Sequence, residues 1–352
     1  MKHYDRVWAE VDLDAVTENI ATIKKKIKPD TKMIPVIKTD GYGHGAIPIA
    51  KAVESEESIW GFGVATAEEA HVLREKGVKK PLLILGYTFP YSYEKMIEEE
   101  IRPTIFMLDV ARLLSEKALK IGKVCRVHIK VDTGMTRIGI HPNEEGVELI
   151  RQVRELPGIE IEGIFTHFAP ADETDKSKSY RQLQMFQEFV DRIERELGIK
   201  IPMKHCSNSA GILEMPEANM DAVRAGIIIY GYASSGSTLD KIDIKPIAKL
   251  KSKINYIKVI DLDESVGYGR RYISNKRITV ATVGIGYADG VRRSLSNKGH
   301  VVIKGVKCPI IGSVCMDSFM VDVSEVLGVA VGDDVYIWDN QIITLEDIAD
   351  TY

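Results

Sequence analysis

The chain has 352 residues, of which 45% are hydrophobic and 28% are charged, and this composition excludes a disordered or collagen-like protein. The length exceeds the roughly 250 to 300 residues at which one hydrophobic core stops growing, so we expect two domains. The formal net charge of −4 leaves no basic excess for a nucleic-acid partner. Apolar runs are too short for a membrane span or a signal peptide, which predicts a soluble, cytoplasmic protein.

The four cysteines are widely separated and form no C-x-x-C pair. This spacing predicts reduced, mostly buried thiols and no structural zinc or other metal site. They are Cys125, Cys206, Cys308 and Cys315.

The chain begins with a predicted isolated strand, Val7–Leu13, and residues 1–12 are expected to join either domain. Residues 13–233 then alternate short β-branched runs with amphipathic helical stretches such as Gly45–Ser55, Ala67–Gly77 and Ser179–Leu197. Eight such runs predict a (β/α)₈ TIM-type barrel. The predicted strands are Lys32–Lys38, Ile59–Ala65, Pro81–Gly86, Arg102–Met107, Val124–Val131, Glu160–His167, Met203–Ser207 and Ala222–Gly226.

The pattern changes after Ser234, where the turn-rich segment SSGSTLDKID is expected to connect the two domains. Short alternating runs follow, separated by Gly, Asp and Asn turns, so residues 234–352 are predicted to form a β-rich C-terminal domain, either a sandwich or a barrel. Its predicted strands are Ala248–Ile260, Arg277–Ile285, His300–Ile311, Phe319–Val323 and Val335–Trp338.

Polar residues follow several predicted barrel strands at their carboxyl ends, where chemistry collects in this fold. Taken singly, each has an ordinary structural explanation: a solvated rim lysine, a glycine turn, or a core histidine. Their convergence at one mouth is what indicates a site. The residues are Lys38, followed by an expected flexible loop Thr39–Gly45; Lys130 and Arg137; His167; Asn208 and Ser209; and Arg224, Gly226 and Ile227.

The cationic excess at this mouth predicts an anionic ligand. Gly226 and Ile227, after the last strand, occupy the place where many barrels bind phosphate through backbone N–H groups, with Ser209 nearby. Lys38, at the first strand, is positioned to form an imine with an aldehyde. A ligand with both a phosphate and an aldehyde fits the description of pyridoxal 5′-phosphate.

Eight ordered motifs give the chain, over essentially its whole length, a resemblance to the alanine racemase family, whose members bind pyridoxal phosphate (fold type III). The motifs are VIKTDGYGHG, HIKVDTGMTRIG, GIFTHFAPAD, HCSNSAG, VRAGIIIYG, SVGYGRRY, GIGYADG and SVCMDSFM. The resemblance implies racemisation of L- and D-alanine, which supplies D-alanine for peptidoglycan.

The resemblance also implies a role for each site residue. Lys38 resembles the lysine that binds the cofactor covalently and, with Tyr268, acts as one of two bases on opposite faces of the substrate. Arg137 is expected to bind the substrate carboxylate, and Met316 to line the substrate pocket. The remaining expected cofactor contacts are Tyr42, Leu85, His167, Asn208, Ser209, Arg224, Gly226 and Ile227.

Two side chains carry further expectations. Arg224 would face the pyridine nitrogen, and because a guanidinium only donates hydrogen bonds, that nitrogen would stay unprotonated. A neutral ring is a weaker electron sink and would suppress transamination. Lys130 matches a lysine that is commonly carbamylated in the family, which would convert it into an anion that orients Arg137.

Because Tyr268 lies in the second domain, the chain would have to fold back onto its own barrel or lend this domain to a neighbouring copy. The resemblance implies the second arrangement, a head-to-tail homodimer with active sites shared across the interface. In this arrangement the partner's site would be completed by Tyr268, Cys315, Met316 and Asp317, and Tyr287 would line the same pocket.

Other functions on related folds compete with alanine racemisation as interpretations of these motifs. A serine, lysine, ornithine or broad-specificity racemase would need a different pocket, whereas Tyr268, Tyr287 and Met316 suit a methyl side chain. A pyridoxal-phosphate carrier would lack the β domain, and a decarboxylase would use a cysteine acid, for which Cys315 is the candidate. Family chains normally continue past Tyr352 to a further phosphate-contacting tyrosine, so we expect either that the sequence is truncated at its C-terminus or that the phosphate is held with one contact fewer.

Overall fold

The computed structural model describes residues 6–233 and 242–351, and it contains two compact units. We call Leu13–Ile247 the barrel unit, and Met1–Asp12 together with Ala248–Tyr352 the β unit. Most of the expected connector, residues 234–241, lies outside the described residues. The first strand, β1 (Val7–Val11), pairs antiparallel with a strand of the β unit, with Val7 opposite Ser252.

The barrel unit contains a closed ring of parallel strands. The predicted strands are present but shorter than expected, although backbone hydrogen bonds such as that from the N–H of Val36 to the carbonyl of Ala225 continue beyond the strand ends. They are β2 (Lys32–Met33), β3 (Phe62–Val64), β4 (Leu82–Ile84), β5 (Ile101–Arg102), β6 (Thr104–Ile105), β7 (Cys125–Lys130), β8 (Ile159–Phe165), β9 (Met203–His205) and β10 (Ala222–Val223).

Hydrogen bonds between neighbours close this ring. A parallel bridge between Val36 and Gly63 joins β2 to β3, and β10 pairs with β2. The N–H of Arg224 donates to the carbonyl of Ser207 at 3.0 Å, which joins β10 to β9. Since β5 and β6 are one strand interrupted at Pro103, the ring has eight positions, and the prediction of a (β/α)₈ barrel is confirmed.

Helices follow the strands and pack their apolar faces on the ring. Several begin at a side-chain cap: Thr66 accepts the N–H of Glu69, and Asn143 accepts the N–H of Gly146. None of the helices in residues 6–233 and 242–351 has the length and apolarity needed to cross a bilayer. They are α1 (Leu13–Lys24), α2 (Lys38–Tyr42), α3 (Ala46–Val53), α4 (Ala67–Glu75), α5 (Tyr93–Glu98), α6 (Leu108–Ile121), α7 (Glu144–Glu155), α8 (Ser177–Leu197) and α9 (Ser209–Glu214), with α10 (Leu345–Asp350) in the β unit.

The β unit is an antiparallel sheet that closes on itself, which confirms the expected β-rich C-terminal domain. The ring runs β11-β14-β17-β16-β15-β18 and returns to β11, and β12 and β13 form a separate hairpin. Buried Val, Ile and Phe side chains such as Phe319 and Val335 fill its core. The strands are β11 (Ala248–Ile260), β12 (Ser265–Val266), β13 (Tyr272–Ile273), β14 (Ile278–Val283), β15 (His300–Ile303), β16 (Val306–Ile311), β17 (Phe319–Asp322) and β18 (Asp334–Trp338).

Candidate active site

A cavity of about 510 Å³ opens at the carboxyl ends of the barrel strands. The fold brings all the site residues expected in the barrel unit to its wall, because parallel strands end at the same face of the ring. These residues are Lys38, Tyr42, Leu85, Lys130, Arg137, His167, Asn208, Ser209, Arg224, Gly226 and Ile227.

Lys38 and Tyr42 reach the cavity from an unusual backbone turn. Thr39, Asp40, Gly41 and Tyr42 all have positive φ, between 51° and 63°, so α2 contains a left-handed turn. Non-glycine residues adopt this conformation at a cost of roughly 1–2 kcal/mol each. Strain of this kind is typical of functional sites.

The turn is held by carboxylates, and the expectation of a flexible loop at Thr39–Gly45 is therefore wrong. Glu69 accepts the N–H of Thr39 through one oxygen and the N–H of Ala65 through the other, both at 2.8 Å. Asp40 accepts the N–H of Ala46 at 2.8 Å. Charge-assisted bonds to backbone N–H groups are strong enough to offset the backbone strain.

Beside this turn, a small cradle is formed by the hydroxyl groups of Tyr42 and Ser209 and by Gly226. The Ser209 hydroxyl accepts the N–H of Gly226 at 3.0 Å. A Cβ atom on Gly226 would lie 3.3 Å from the Tyr42 hydroxyl and 3.5 Å from the Ser209 hydroxyl, so the missing side chain leaves the space between them open. Burial raises the pKa of Tyr42, and its phenol therefore stays a donor at neutral pH.

Arg224 lies at the floor of the cavity and is almost completely buried. Its guanidinium donates to the carbonyls of Thr166 at 2.7 Å, Cys206 at 2.9 Å and His205 at 3.1 Å. It also lies 2.7 Å from His205 Nδ1 and 3.3 Å from His167 Nδ1. Burial lowers the pKa of Arg224 to about 10, so the side chain remains a cation near neutral pH.

His167 is positioned by this contact with Arg224. Burial, followed by the charges of Arg224 and Arg137, holds its pKa far below the usual histidine range. The imidazole is therefore neutral, and Nδ1 is free to accept from the guanidinium.

Lys130 is buried at the end of β7, where its ammonium group donates to the carbonyl of Val131 at 2.8 Å. Burial, together with the charge of Arg224, lowers the pKa of Lys130 to about 7. Arg137, at the rim, is exposed and makes neither a hydrogen bond nor an ion pair within the described parts of the chain. The site thus offers one free guanidinium and one amine that is readily neutralised.

Asn208 has a local structural role in addition to lining the cavity. Its side-chain oxygen accepts the N–H of Gly211 at 2.9 Å and so caps α9. This cap fixes the first residue of the helix, Ser209, whose hydroxyl belongs to the cradle. The expected direct contact of Asn208 with a ligand is therefore left to its amide nitrogen.

The remaining expected residues lie in the β unit. Tyr268 is 77% exposed, and its carbonyl accepts from the Ser313 hydroxyl at 3.1 Å. The N–H of Tyr287 donates to the carbonyl of Cys315 at 2.9 Å, and Met316 is exposed. Tyr268, Tyr287, Cys315, Met316 and Asp317 thus belong to connected loops of one unit, which we call the tyrosine loops.

Comparisons with known proteins agree with this architecture of a lysine-bearing barrel and a closed β unit. The family models "Alanine racemase, N-terminal domain" and "Alanine racemase, C-terminal domain" match residues 11–234 and 247–352. The chain therefore belongs to the alanine racemase family.

Individual relatives match over nearly the whole chain. An alanine racemase of Desulfovibrio desulfuricans is 41% identical over 99% of this chain and 94% of its own length. The solved alanine racemase of Clostridium difficile superposes with a TM-score of 0.95 at 40% identity, covering 99% of this chain and 91% of that one. The alanine racemase of Bacillus anthracis with bound L-Ala-P gives 0.90 at 32% identity, covering 100% and 91%.

The buried state of Lys130 leads to a pH-dependent stability. Its pKa rises from about 7 in the folded chain to the ordinary 10.5 on unfolding, so between these values the unfolded chain binds the extra proton. The free energy of unfolding therefore rises with pH across this window. The cost of burying the protonated Lys130 amine is fully present below pH 7. We expect Lys130→Met to be more stable than wild type at pH 7, by about 4 kcal/mol, with the gap closing toward pH 10.5.

The measurement is urea unfolding at several pH values in buffers purged of carbon dioxide. Lys178→Met, the same change at an exposed side chain, is the matched control and should not reproduce the closing gap. A Lys130→Met variant whose stability tracks that of wild type at every pH would contradict the assignment.

Proposed function

We propose that the protein interconverts L-alanine and D-alanine with pyridoxal 5′-phosphate bound in the barrel cavity, and so supplies D-alanine for peptidoglycan. The observation that carries the proposal is the placement of Lys38 and the Gly226 cradle in one cavity of an alanine racemase family member. An amine that can bind an aldehyde and a cradle that can bind a phosphate are the two groups that this cofactor requires.

The residues present fit the cofactor at both ends. The hydroxyls of Tyr42 and Ser209 can donate to a phosphate in the space that a Gly226 side chain would fill. Lys38 lines the same cavity, and its side-chain amine makes no hydrogen bond or ion pair within the described residues, so the amine is available. When bound, the cofactor supplies the electron sink that makes the substrate Cα proton removable.

Two side chains of this chain would move the proton. The amine nitrogen of Lys38 takes or returns it on one face of the substrate, and the phenol oxygen of Tyr268 does so on the other. Bases on opposite faces allow both directions of the reaction without turning the substrate.

Arg137 and Lys130 would orient the substrate. The free guanidinium of Arg137 can bind the substrate carboxylate in a bidentate manner. The neutral form of the Lys130 amine can add to carbon dioxide, with formation of an N–C bond and loss of a proton to solvent. The resulting carbamate is an anion that would hold Arg137 in place and end the repulsion between two neighbouring cations.

The exposure of the tyrosine loops supports a shared active site in a homodimer. Tyr268 and Met316 are 77% and 59% exposed, which is unusual for a base and a pocket wall unless another surface covers them. A second copy of the chain, placed head to tail, would bring the tyrosine loops to the barrel mouth of its partner.

The central test is the formation of D-alanine from L-alanine. We expect wild-type protein with pyridoxal phosphate to show the visible absorbance of a protein-bound imine and to racemise alanine far faster than L-serine or L-lysine. Lys38→Ala should lose both the absorbance and the activity, because no amine then binds the aldehyde. Equal rates on the three amino acids would refute alanine as the substrate, and full activity of Lys38→Ala would refute the mechanism.

The Gly226 cradle gives a test of phosphate binding alone. Gly226→Ala should weaken the binding of pyridoxal phosphate by at least about tenfold, because the new methyl group occupies the phosphate position. Pyridoxal, which lacks the phosphate, should bind to wild type and variant equally and serves as the matched ligand. The affinities are measured by absorbance titration. A parallel loss for both ligands would show that the variant acts on something other than phosphate.

Shared active sites predict complementation between two inactive variants. Lys38→Ala and Tyr268→Phe should each be nearly inactive, yet a mixture that is unfolded and refolded together should regain about a quarter of wild-type activity, because half of the dimers then carry one intact site. Recovery is measured as D-alanine formation, with each variant refolded alone as control. No recovery, although mixed dimers are shown to form, would contradict the shared site.

A further inference from the structure

A chain of polar side chains runs from Arg224 through the interior of the barrel. Arg224 Nη1 lies 2.7 Å from His205 Nδ1, and His205 Nε2 lies 3.0 Å from His128 Nδ1. His128 Nε2 then lies 3.4 Å from the carboxylate of Glu162, which Arg102 contacts at 3.1 Å from the other side. We call Arg224, His205, His128 and Glu162 the arginine–glutamate chain.

The chemistry of the two ends determines which histidine nitrogens carry protons. A guanidinium can only donate, so His205 Nδ1 must accept, and the proton of the neutral ring lies on Nε2. That proton points at His128 Nδ1, which must also accept. The His128 proton therefore lies on Nε2, the nitrogen 3.4 Å from the Glu162 carboxylate. The first two links are hydrogen bonds directed away from the arginine, whereas this last contact is electrostatic, because its geometry is not that of a hydrogen bond.

The environment keeps both imidazoles neutral and the glutamate charged. His205 and His128 are completely buried, and burial lowers the pKa of both. Burial alone would raise the pKa of Glu162, but the contacts with His128 and Arg102 outweigh it and lower the pKa to about 2. No carboxylate contacts Arg224 directly within the described ranges, so Glu162 is the anion to which the chain connects it.

The packing around the arginine–glutamate chain fixes the positions of its two imidazole rings. A Cβ atom on Gly163, the residue after Glu162, would lie only 2.4 Å from His128 Nδ1, so a side chain there would displace the ring. Phe165, two residues further on β8, stacks on His205 with ring centres 4.8 Å apart and planes 5° apart. Strand β8 thus supplies the anion, the space for one imidazole and the platform for the other.

We propose that Glu162 is a positioning residue that acts through His128 and His205 on the charge and orientation of Arg224. The proposal rests on the proposed function in one respect, namely that Arg224 faces the ring nitrogen of the cofactor. Through its electrostatic contact with His128 and the hydrogen bonds from His128 to His205 and Arg224, the glutamate would partly balance the guanidinium and so limit the electron withdrawal that Arg224 exerts on the ring. Without this anion, a fuller positive charge would act at the ring nitrogen.

A stronger electron sink has a measurable consequence. It prolongs the life of the deprotonated substrate and thereby favours the side reaction in which L-alanine and pyridoxal phosphate become pyruvate and pyridoxamine phosphate. The ratio of pyruvate formed to D-alanine formed is therefore the quantity that Glu162 should control. A residue with a merely structural role would lower both products together.

The first arm of the experiment examines the protonation of the two histidines of the arginine–glutamate chain in cofactor-free protein. Nitrogen-15 NMR of histidine-labelled wild type, with His128→Gln and His205→Gln used for assignment, should show both rings neutral with the proton on Nε2. A proton on Nδ1 of either ring, or a doubly protonated ring, would overturn the proposal. This arm does not depend on any catalytic activity.

The second arm compares Glu162→Gln with wild-type holoenzyme. Glutamine keeps the size of the side chain and an oxygen that can face His128, but it removes the charge. We expect the ratio of pyruvate to D-alanine to rise by roughly 2- to 30-fold, the range typical of residues that act through a network. Glu162→Asp, which restores the charge, should move the ratio back toward wild type.

Glu160→Gln is the matched control, since Glu160 lies on the same strand, pairs with Arg126 at 3.3 Å and is half exposed. This variant removes the same charge without contacting the arginine–glutamate chain, and it should leave the ratio of pyruvate to D-alanine unchanged. An unchanged ratio in folded Glu162→Gln, or an equal rise in Glu160→Gln, would overturn the proposal. Correct tautomers in a wild type that forms no D-alanine would instead refute the proposed function.

Discussion

The site of this protein depends on the burial of one guanidinium. Arg224 carries its charge into the barrel interior, where an unpaired ion would be prohibitively costly. The structure meets this cost with carbonyl groups from the ends of two neighbouring strands and with two neutral imidazoles. Those carbonyls lie at the ends of β8 and β9, because parallel strands end together at the mouth of the barrel. The closed ring therefore supplies the partners that the buried cation needs.

Around this cation the cavity is built from rigid parts. The left-handed turn after β2 holds Lys38 and Tyr42 at one side, and its strain is balanced by Glu69 and Asp40. Beside this turn, the cap on α9 fixes Ser209 next to Gly226. A catalytic amine and an anion cradle are thus held by backbone hydrogen bonds instead of by mobile loops, which is the arrangement expected where reacting groups must be preorganised.

The candidate catalytic and binding groups are distributed over both units. The barrel unit holds the groups suited to bind a cofactor and a carboxylate, whereas the exposed tyrosine loops of the β unit hold the second proposed base. Under the proposed function, such a division would make activity depend on assembly, since neither surface would contain a full set of catalytic groups. The N-terminal strand β1 also belongs to the β unit, where it pairs with β11 although it is not a member of the closed ring.

The sequence by itself determined the architecture and which residues line the cavity. Alternating β-branched and amphipathic segments were enough to predict the barrel, and the polar residues at strand ends, including Lys38, Arg137 and Arg224, all line one cavity, because the carboxyl ends of parallel strands converge. Only the tertiary structure decided the conformation of the Thr39–Tyr42 turn, since positive φ at threonine and tyrosine runs against local preference. It alone revealed the link from Arg224 to Glu162, because His128 and His205 are 77 positions apart in sequence. Periodicity reports which face of a strand is buried, whereas hydrogen bonds across the barrel depend on how distant strands are placed side by side.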